Sequence, residues 1–294
     1  MIKDINQVFL SSPKMSIDDS SKIVIMSDCH RGTALSFDNF IQNEEIYKSA
    51  LMYYYSKDFT YIELGDGDEM WEVDNYQEII KTYIDIFRKL KKFYDEKRLI
   101  MIYGNHDILK RSKVFLEKYF YKYYDHKTNK SEVLLDGLEV NESLILNYKD
   151  YDIFLIHGHQ MDIMNSKFWR ISRFLVKNIW RPLETMGASD PTGLAKNNKT
   201  KKIIEKRMKK WSIKNNKILI AGHTHRAVFP KIGESLYFND GSCVHPNGIT
   251  CLEIEDGCIS LVKWEQESIN KVMVSKRKVI KGKEKIANFY SKGK

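Results

Sequence analysis

Five times along the chain a short apolar run ends in a cluster of Gly, His and Asp: IVIMSDCH, YIELGDGDE, LIMIYGNHD, IFLIHGH and ILIAGHTH. Each run is short and apolar, so each reads as a buried strand. Between the first three the periodicity turns helical. Strands over 22–27, 59–64 and 98–103 alternate with helices over 38–56, 76–94 and 109–121. That rhythm predicts parallel pairing with right-handed crossovers. A fourth strand falls at 151–156, preceded by VLLDGLEV, whose Asp136-Gly137 pair predicts a hairpin turn. Beyond the last cluster come short alternating segments at 226–230, 235–239, 248–254 and 258–264, with Asp256-Gly257 as a second hairpin turn. Two sheets face to face, with helices outside, accommodate both halves.

Residues 160–216 form a stretch which this rhythm does not require. Phe168, Ile171, Leu175 and Ile179 fall on one helical stripe that Pro182 ends, and Ile203, Ile204, Met208 and Trp211 fall on one side of a later basic run. These stripes predict a helical insertion, used for packing or as a cap over the cluster ends. With no repeat and five prolines in 294 residues, a long interdomain linker is not expected. The organisation expected is one domain over 1–270 carrying that insertion, then a basic tail over 271–294.

No run reaches the roughly 20 apolar residues of a membrane span. The opening MIKDINQVFLSSPKM has acidic and polar residues where a signal peptide would be apolar, so a cytoplasmic location is expected. Cys29, Cys243, Cys251 and Cys258 show no paired spacing and read as thiols. Net charge is +9, but residues 199–217 and 271–294 each hold nine Lys/Arg against one Glu, so the remainder is net acidic. Such runs are solvated faces, or attract an anionic substrate, nucleic acid or an anionic lipid surface.

Six of the eight histidines lie in the strand-end clusters, where α/β sheets gather their sites. Asp28-x-His30 and His223-x-His225 each set two donors on one side of an extended chain end. Asp66 follows Gly65, where a carboxylate can bridge two cations. Asn105 and His106 follow Gly104, whose missing side chain allows close backbone approach. Imidazoles, carboxylates and one amide, without thiolate, suit a pair of divalent cations, with Mn²⁺ the first choice and Fe or Zn²⁺ next. Asp107 reads as a structural hydrogen-bond partner. Arg31, Arg170, Arg173 and Arg181 are the candidate contacts to a substrate phosphate.

The series D-x-H, G-D-x-x-E, G-N-H-D, H-G-H and G-H-T-H, in this order, resembles the calcineurin-like metallophosphoesterases over residues 24 to about 242. The resemblance implies an α/β fold, a four-layer αββα sandwich around a binuclear centre. It implies that Asp28, His30, Asp66 and His225 hold one metal and Asp66, Asn105, His157 and His223 the other, with Asp66 bridging. Metal-bound hydroxide would attack phosphorus, while His106, oriented by Glu69, would protonate the leaving group. Phosphomonoesters, phosphodiesters and nucleotide-type pyrophosphates all fit that chemistry. So does a nuclease that holds the nucleic-acid backbone on the basic runs, and a non-catalytic scaffold is the alternative outside enzymology.

Within that superfamily the run Gly65 to Trp71, the insertion after the fourth motif with its Phe168-Trp169-Arg170, and Arg181-Pro182 resemble the UDP-2,3-diacylglucosamine pyrophosphohydrolases. His106 stands where that branch has Arg, and H-G-H stands where it has H-G-D. A dedicated acid at His106 admits substrates with poorer leaving groups.

Overall fold

The apolar runs become strands whose alternate residues serve different cores. The computed structural model describes residues 4–290, apart from 36–37, 74, 126–127, 163–164, 167, 181–197, 247 and 270–271. Its strands are β1 (Lys14–Ile17), β2 (Ile23–Met26), β3 (Thr60–Leu64), β4 (Leu99–Ile102), β5 (Lys122–Asp125), β6 (Lys130–Val133) and β7 (Val140–Asn141). They continue with β8 (Ser143–Tyr148), β9 (Tyr151–Ile156), β10 (Ile218–Ala221), β11 (Tyr237–Asn239), β12 (Ile249–Glu255), β13 (Cys258–Ile269) and β14 (Val272–Lys285). One sheet has the order β1-β8-β9-β10-β11 and the other β14-β13-β12-β2-β3-β4-β7, with β5-β6 a separate hairpin. The pairs β2/β3, β3/β4 and β9/β10 are all parallel.

The layers follow from side-chain alternation. On β2, Ile23 and Ile25 join the core between the sheets, while Val24 and Met26 face the helices outside. On β9, Ile153 and Leu155 point inward, and Phe154 and Ile156 point outward. Helices Glu44–Ser56, Tyr76–Thr82, Ile84–Asp95 and Lys113–Tyr119 cover the seven-stranded sheet through residues such as Tyr47, Ile80, Phe87 and Leu116. Ile5–Ser11 and Asn198–Asn215 cover the other sheet through Val8, Ile204, Met208 and Trp211. The result is the anticipated αββα sandwich. Among the described residues no helix is long and apolar enough to cross a membrane.

Several expectations are corrected. The helix expected over 76–94 breaks at Tyr83, whose side chain turns into the core and donates to Asp38 Oδ2 at 2.6 Å. Asp136-Gly137 is not a hairpin turn, because β6 before it pairs with β5 and β7 after it runs parallel to β4. Leu134, Leu135 and Leu138 draw that turn into the helix-side core. The hairpin that leads into the fourth motif strand is β8-β9, closed at Lys149-Asp150. Of 226–230 only an isolated bridge, Val228 to Asn239, is formed. Asp256-Gly257 does close the β12-β13 hairpin.

Within the basic segment, the described residues 272–290 are not a tail. Val272–Lys285 is an edge strand antiparallel to β13, and helix Ile286–Tyr290 follows it. That helix drops Ile286 and Phe289 into the core between the sheets, with Phe289 edge-on to Phe238 at 5.0 Å. The insertion divides. Its last helix buries Ile204, Met208 and Trp211 as part of the outer layer, with Ile203 exposed, whereas Phe168 at the start of Trp169–Leu175, Ile171 within it and Ile179 on Val176–Trp180 face outward. Cys29, Cys243 and Cys251 are buried free thiols, and Cys258 is partly exposed.

A strand and a core plug at residues 272–290 make that segment part of the fold. Removing residues 271–294 is expected to lower the thermal midpoint strongly or prevent soluble expression. Phe289→Ala alone should cost about 3 kcal/mol in denaturant unfolding. An unchanged midpoint in both would return the segment to the status of a tail.

Candidate metal centre

Parallel pairing carries the ends of β2, β3 and β4 to one edge of their sheet, and the ends of β9 and β10 meet them there from the facing sheet. Backbone bonds continue past the strands: Asp28 N–H donates to Gly65 O at 3.0 Å, His30 N–H to Asp66 O at 2.9 Å and Gly222 N–H to His157 O at 2.9 Å. The chain then turns sharply. Asp28, His30, Asp66, His223 and His225 all take left-handed backbone conformations, with φ of 52°, 48°, 51°, 66° and 54°. The D-x-H and H-x-H pairs therefore converge through left-handed turns, not along an extended chain end as alternation predicted. Each such residue costs about 1–2 kcal/mol, and strain of this kind gathers at functional sites.

The turns bring the side chains into two groups, Asp28 with His30 and His225, and Asp66 with His157 and His223. His225 Nε2 lies 3.2 Å from Asp28 Oδ1, and His157 Nε2 lies 3.1 Å from Asp66 Oδ2. His30 Nε2 stands 3.7 Å from Asp28 Oδ1 and 3.8 Å from Asp66 Oδ2, so it spans the groups. Asn105 is buried beside them.

The polar atoms divide into those held by the protein and those left over. Asp28 Oδ2 accepts from Ser27 Oγ at 2.5 Å and from His223 N–H at 2.9 Å. Ser27 Oγ is also 2.8 Å from Asp240 Oδ1. Asp66 Oδ1 accepts from His106 N–H at 2.8 Å. His157 Nδ1 donates to Leu64 O at 2.9 Å, so Nε2 is the nitrogen turned toward Asp66. Asp28 Oδ1, His30 Nε2, Asn105 Oδ1 and His157 Nε2 are buried with no hydrogen-bond partner. Four orphaned donor atoms of the kinds that divalent cations take, in one cleft, fit a metal centre.

Burial works to raise the carboxyl of Asp28, but the nearby His225 and His157 imidazoles hold it well below the usual carboxylate range. Burial likewise opposes ionisation of Asp66, and His157 and His106 outweigh it. His157 is pushed down by burial and, on balance, up to about 9 by Asp66 and Asp28. Burial pushes His225 down to about 3. Burial also keeps His159 neutral, its ring 5.6 Å from that of His157.

Glu69 stands between two imidazoles. Its Oε1 lies 2.9 Å from His106 Nδ1 and its Oε2 3.0 Å from His30 Nδ1. His106 stacks on Trp71 at 4.1 Å between centroids, and Trp71 Nε1–H donates to Asn105 O at 2.8 Å. Burial lowers the proton affinity of His106, and Glu69 and Asp66 more than restore it, so the net shift is upward.

Beneath the cleft lies a charged layer that motif reading missed. Arg31 is fully buried, with Nε 2.7 Å from Asp68 Oδ1 and Nη1 2.8 Å from Glu63 Oε2. Its guanidinium is spent on these partners, so Arg31 is not a contact to substrate phosphate. Lys110 Nζ sits 2.6 Å from both Asp68 Oδ2 and Asp107 Oδ2. Asp107 accepts from Gly104 N–H at 2.7 Å and Gly67 N–H at 3.1 Å, the structural role expected of it. Glu63, Asp68 and Asp107 resemble a metal group in composition, but two side-chain cations already fill it. Asp162 is a further residue missed, its Oδ2 3.3 Å from His223 Nε2. No local pattern marks Lys110 or Asp162 in the sequence.

Of the insertion arginines, Arg170 is exposed and its guanidinium lies 5.5 Å from the Trp169 ring centre. Among the described residues, no contact links Arg170 or Arg173 to the two groups. Arg181 lies outside the described residues.

Residues 22–257 match the family model of the calcineurin-like phosphoesterase superfamily domain. No curated protein matches the chain. Among solved structures, vacuolar protein sorting 29 from Cryptosporidium parvum is 12% identical, covering 90% of this chain and all of that one, with a TM-score of 0.41. A predicted phosphoesterase from Streptococcus pneumoniae is 16% identical, covering 88% and 97%, with a TM-score of 0.35. A cold-active protein-tyrosine phosphatase from a psychrophilic Shewanella is 12% identical, covering 92% and 83%, with a TM-score of 0.38.

Gly104 offers a test of the centre. A methyl group there would land on Asp66 Oδ1 and within 2.6 Å of Asp66 N. Gly104→Ala should therefore retain the circular dichroism of the parent but purify with substoichiometric metal by elemental analysis. An alanine variant that loads metal like the parent would show that this close approach does not fix Asp66.

Proposed function

We propose that this chain, which belongs to the calcineurin-like phosphoesterase superfamily, hydrolyses phosphate esters or anhydrides at a centre of two divalent cations. The four buried donor atoms without partners, Asp28 Oδ1, His30 Nε2, Asn105 Oδ1 and His157 Nε2, carry this reading. Left empty, each would cost about 1–3 kcal/mol of unsatisfied desolvation.

Asp28, His30, Asp66 and His225 would hold one cation, and Asp66, Asn105, His157 and His223 the other. When bound, two such cations supply the Lewis acidity that makes water a competent nucleophile near neutral pH and offsets charge on the phosphoryl oxygens. Nitrogen and oxygen donors without thiolate favour Mn²⁺, with Fe or Zn²⁺ the alternatives.

The protein's own groups do the rest. Ser27 and the His223 N–H fix Asp28 Oδ2, which aims Oδ1 into the cleft. Glu69 occupies His106 Nδ1, leaving Nε2 to deliver a proton to the leaving oxygen. Its carboxylate favours the protonated ring, and Trp71 keeps that ring in plane. His106 is partly exposed at the rim, within reach of substrate.

With Mn²⁺ the protein is expected to hydrolyse p-nitrophenyl phosphate or its bis-ester, and to lose that activity on chelation. Full turnover after exhaustive metal removal would overturn the proposal. His106→Ala should keep its metals but lose roughly 10²-fold or more on alkyl phosphates and much less on p-nitrophenyl phosphate, whose leaving group needs no proton. Equal losses on both would remove His106 from the acid role.

A further inference from the structure

The helix Asn198–Asn215 carries a buried stripe that ends at the metal centre. Trp211 Nε1–H donates to Asn6 Oδ1 at 2.8 Å, far from the cleft. Three residues earlier, Met208 packs where a side chain on Gly158 would meet both its Cε and His223 Cβ. Glu205 then comes 3.7 Å from Arg226 Nε, next to His225. One turn further the same stripe presents Lys201.

Lys201 is only 5% exposed, yet it has no hydrogen-bond or ion-pair partner among the described residues. Its electrostatic neighbours are Arg226, Asp28 and Glu205, and its charge is felt at His225. Burial and Arg226 hold its proton affinity below the ordinary lysine value. The ammonium is the unpaired end of a buried stem, one turn from Glu205, whose Oε1 is itself buried without a hydrogen-bond partner. The helix also has no acidic residue in its first turn, where Lys199, Lys201 and Lys202 add like charge to the positive end of its dipole. Packing explains neither arrangement, and an anion would relieve both. Arg226, an electrostatic neighbour of Lys201, has an exposed side chain, and Glu205 at 3.7 Å from its Nε pairs only loosely with it.

We propose that Lys201 and Arg226 form an anion subsite beside Asp28 and His225 that binds a second phosphate of the substrate. The substrate class is then a compound with two phosphates, a diphosphate ester or a bisphosphate, one at the cation centre and one here. An ammonium and a guanidinium together match the several acceptor oxygens of a phosphate. This rests on the phosphohydrolase reading for the role of the first phosphate, but the subsite itself consists of the chain's own cations.

The test uses ADP and AMP as probes on the full chain. As competitive inhibitors of p-nitrophenyl phosphate hydrolysis in excess Mn²⁺, ADP should bind more tightly than AMP. Lys201→Met, which keeps the packed stem, should reduce that preference about tenfold, as should Arg226→Ala. Lys201→Arg should restore most of it, and the exposed control Lys206→Met should leave it as in the parent. A second arm measures binding of both probes to chelator-treated protein by calorimetry, which does not depend on turnover. If no hydrolysis is found, weaker ADP binding by Lys201→Met than by the parent still upholds the subsite. Equal preference for ADP in the parent and both neutralised variants overturns it, whether or not the chain is a hydrolase.

Discussion

The Asp107 carboxylate is the constraint on which the arrangement of the cleft depends. It gathers the backbone N–H groups of the loops after β3 and β4 onto one anion and shares Lys110 with Asp68, which in turn takes Arg31 from the loop after β2. Three loops are thereby tied from below by side chains that never reach the cleft. Removing one member would strand buried charge at a cost of about 3–5 kcal/mol. That cost explains why the layer contains both cations together with three carboxylates, since neither sign is tolerable alone at this depth.

Above this layer the chain is held in conformations it would not choose. Five of the seven proposed ligands sit in the left-handed region, and their combined strain is comparable with much of a domain's net stability of about 5–15 kcal/mol. The strain is sustained because each turn is anchored on both sides, by the ladder bonds that run past the strand ends and by apolar cores on both faces of each sheet. A rigid frame thus carries donors that point at one another.

Much of this was legible in the sequence, for identifiable reasons. Strands buried on both faces leave continuous apolar runs, so β2, β3, β4, β9 and β10 were evident, and their parallel order put the clusters on one edge. The grouping of Asp28 with His225, or Asp66 with His223, came from the family resemblance that the ordered motifs carry and not from local chemistry. What escaped reading depends on contacts distant in sequence. Arg31 beside His30 looks like a phosphate ligand until Glu63 and Asp68 are seen to enclose it. Lys201 looks like one more charge in a basic run, because its burial depends on where the helix ends. The strand at 272–285 shows no apolar alternation, since an edge strand largely exposed on both faces has no reason to alternate.

That edge strand also changes what the chain's overall charge means. β14 ends the seven-stranded sheet, and its outer rim is the kind of open backbone edge on which another chain could pair and extend the sheet. Six of its fourteen residues are Lys or Arg. Lys276, Arg277 and Lys283 are paired with Glu267, Glu253 and Asp256, which keeps the cations spread along the strand. Two such edges brought together would set their remaining like charges against one another. Part of the positive charge of this chain can thus be understood as colloidal insulation, a property of its own surface that requires no acidic partner.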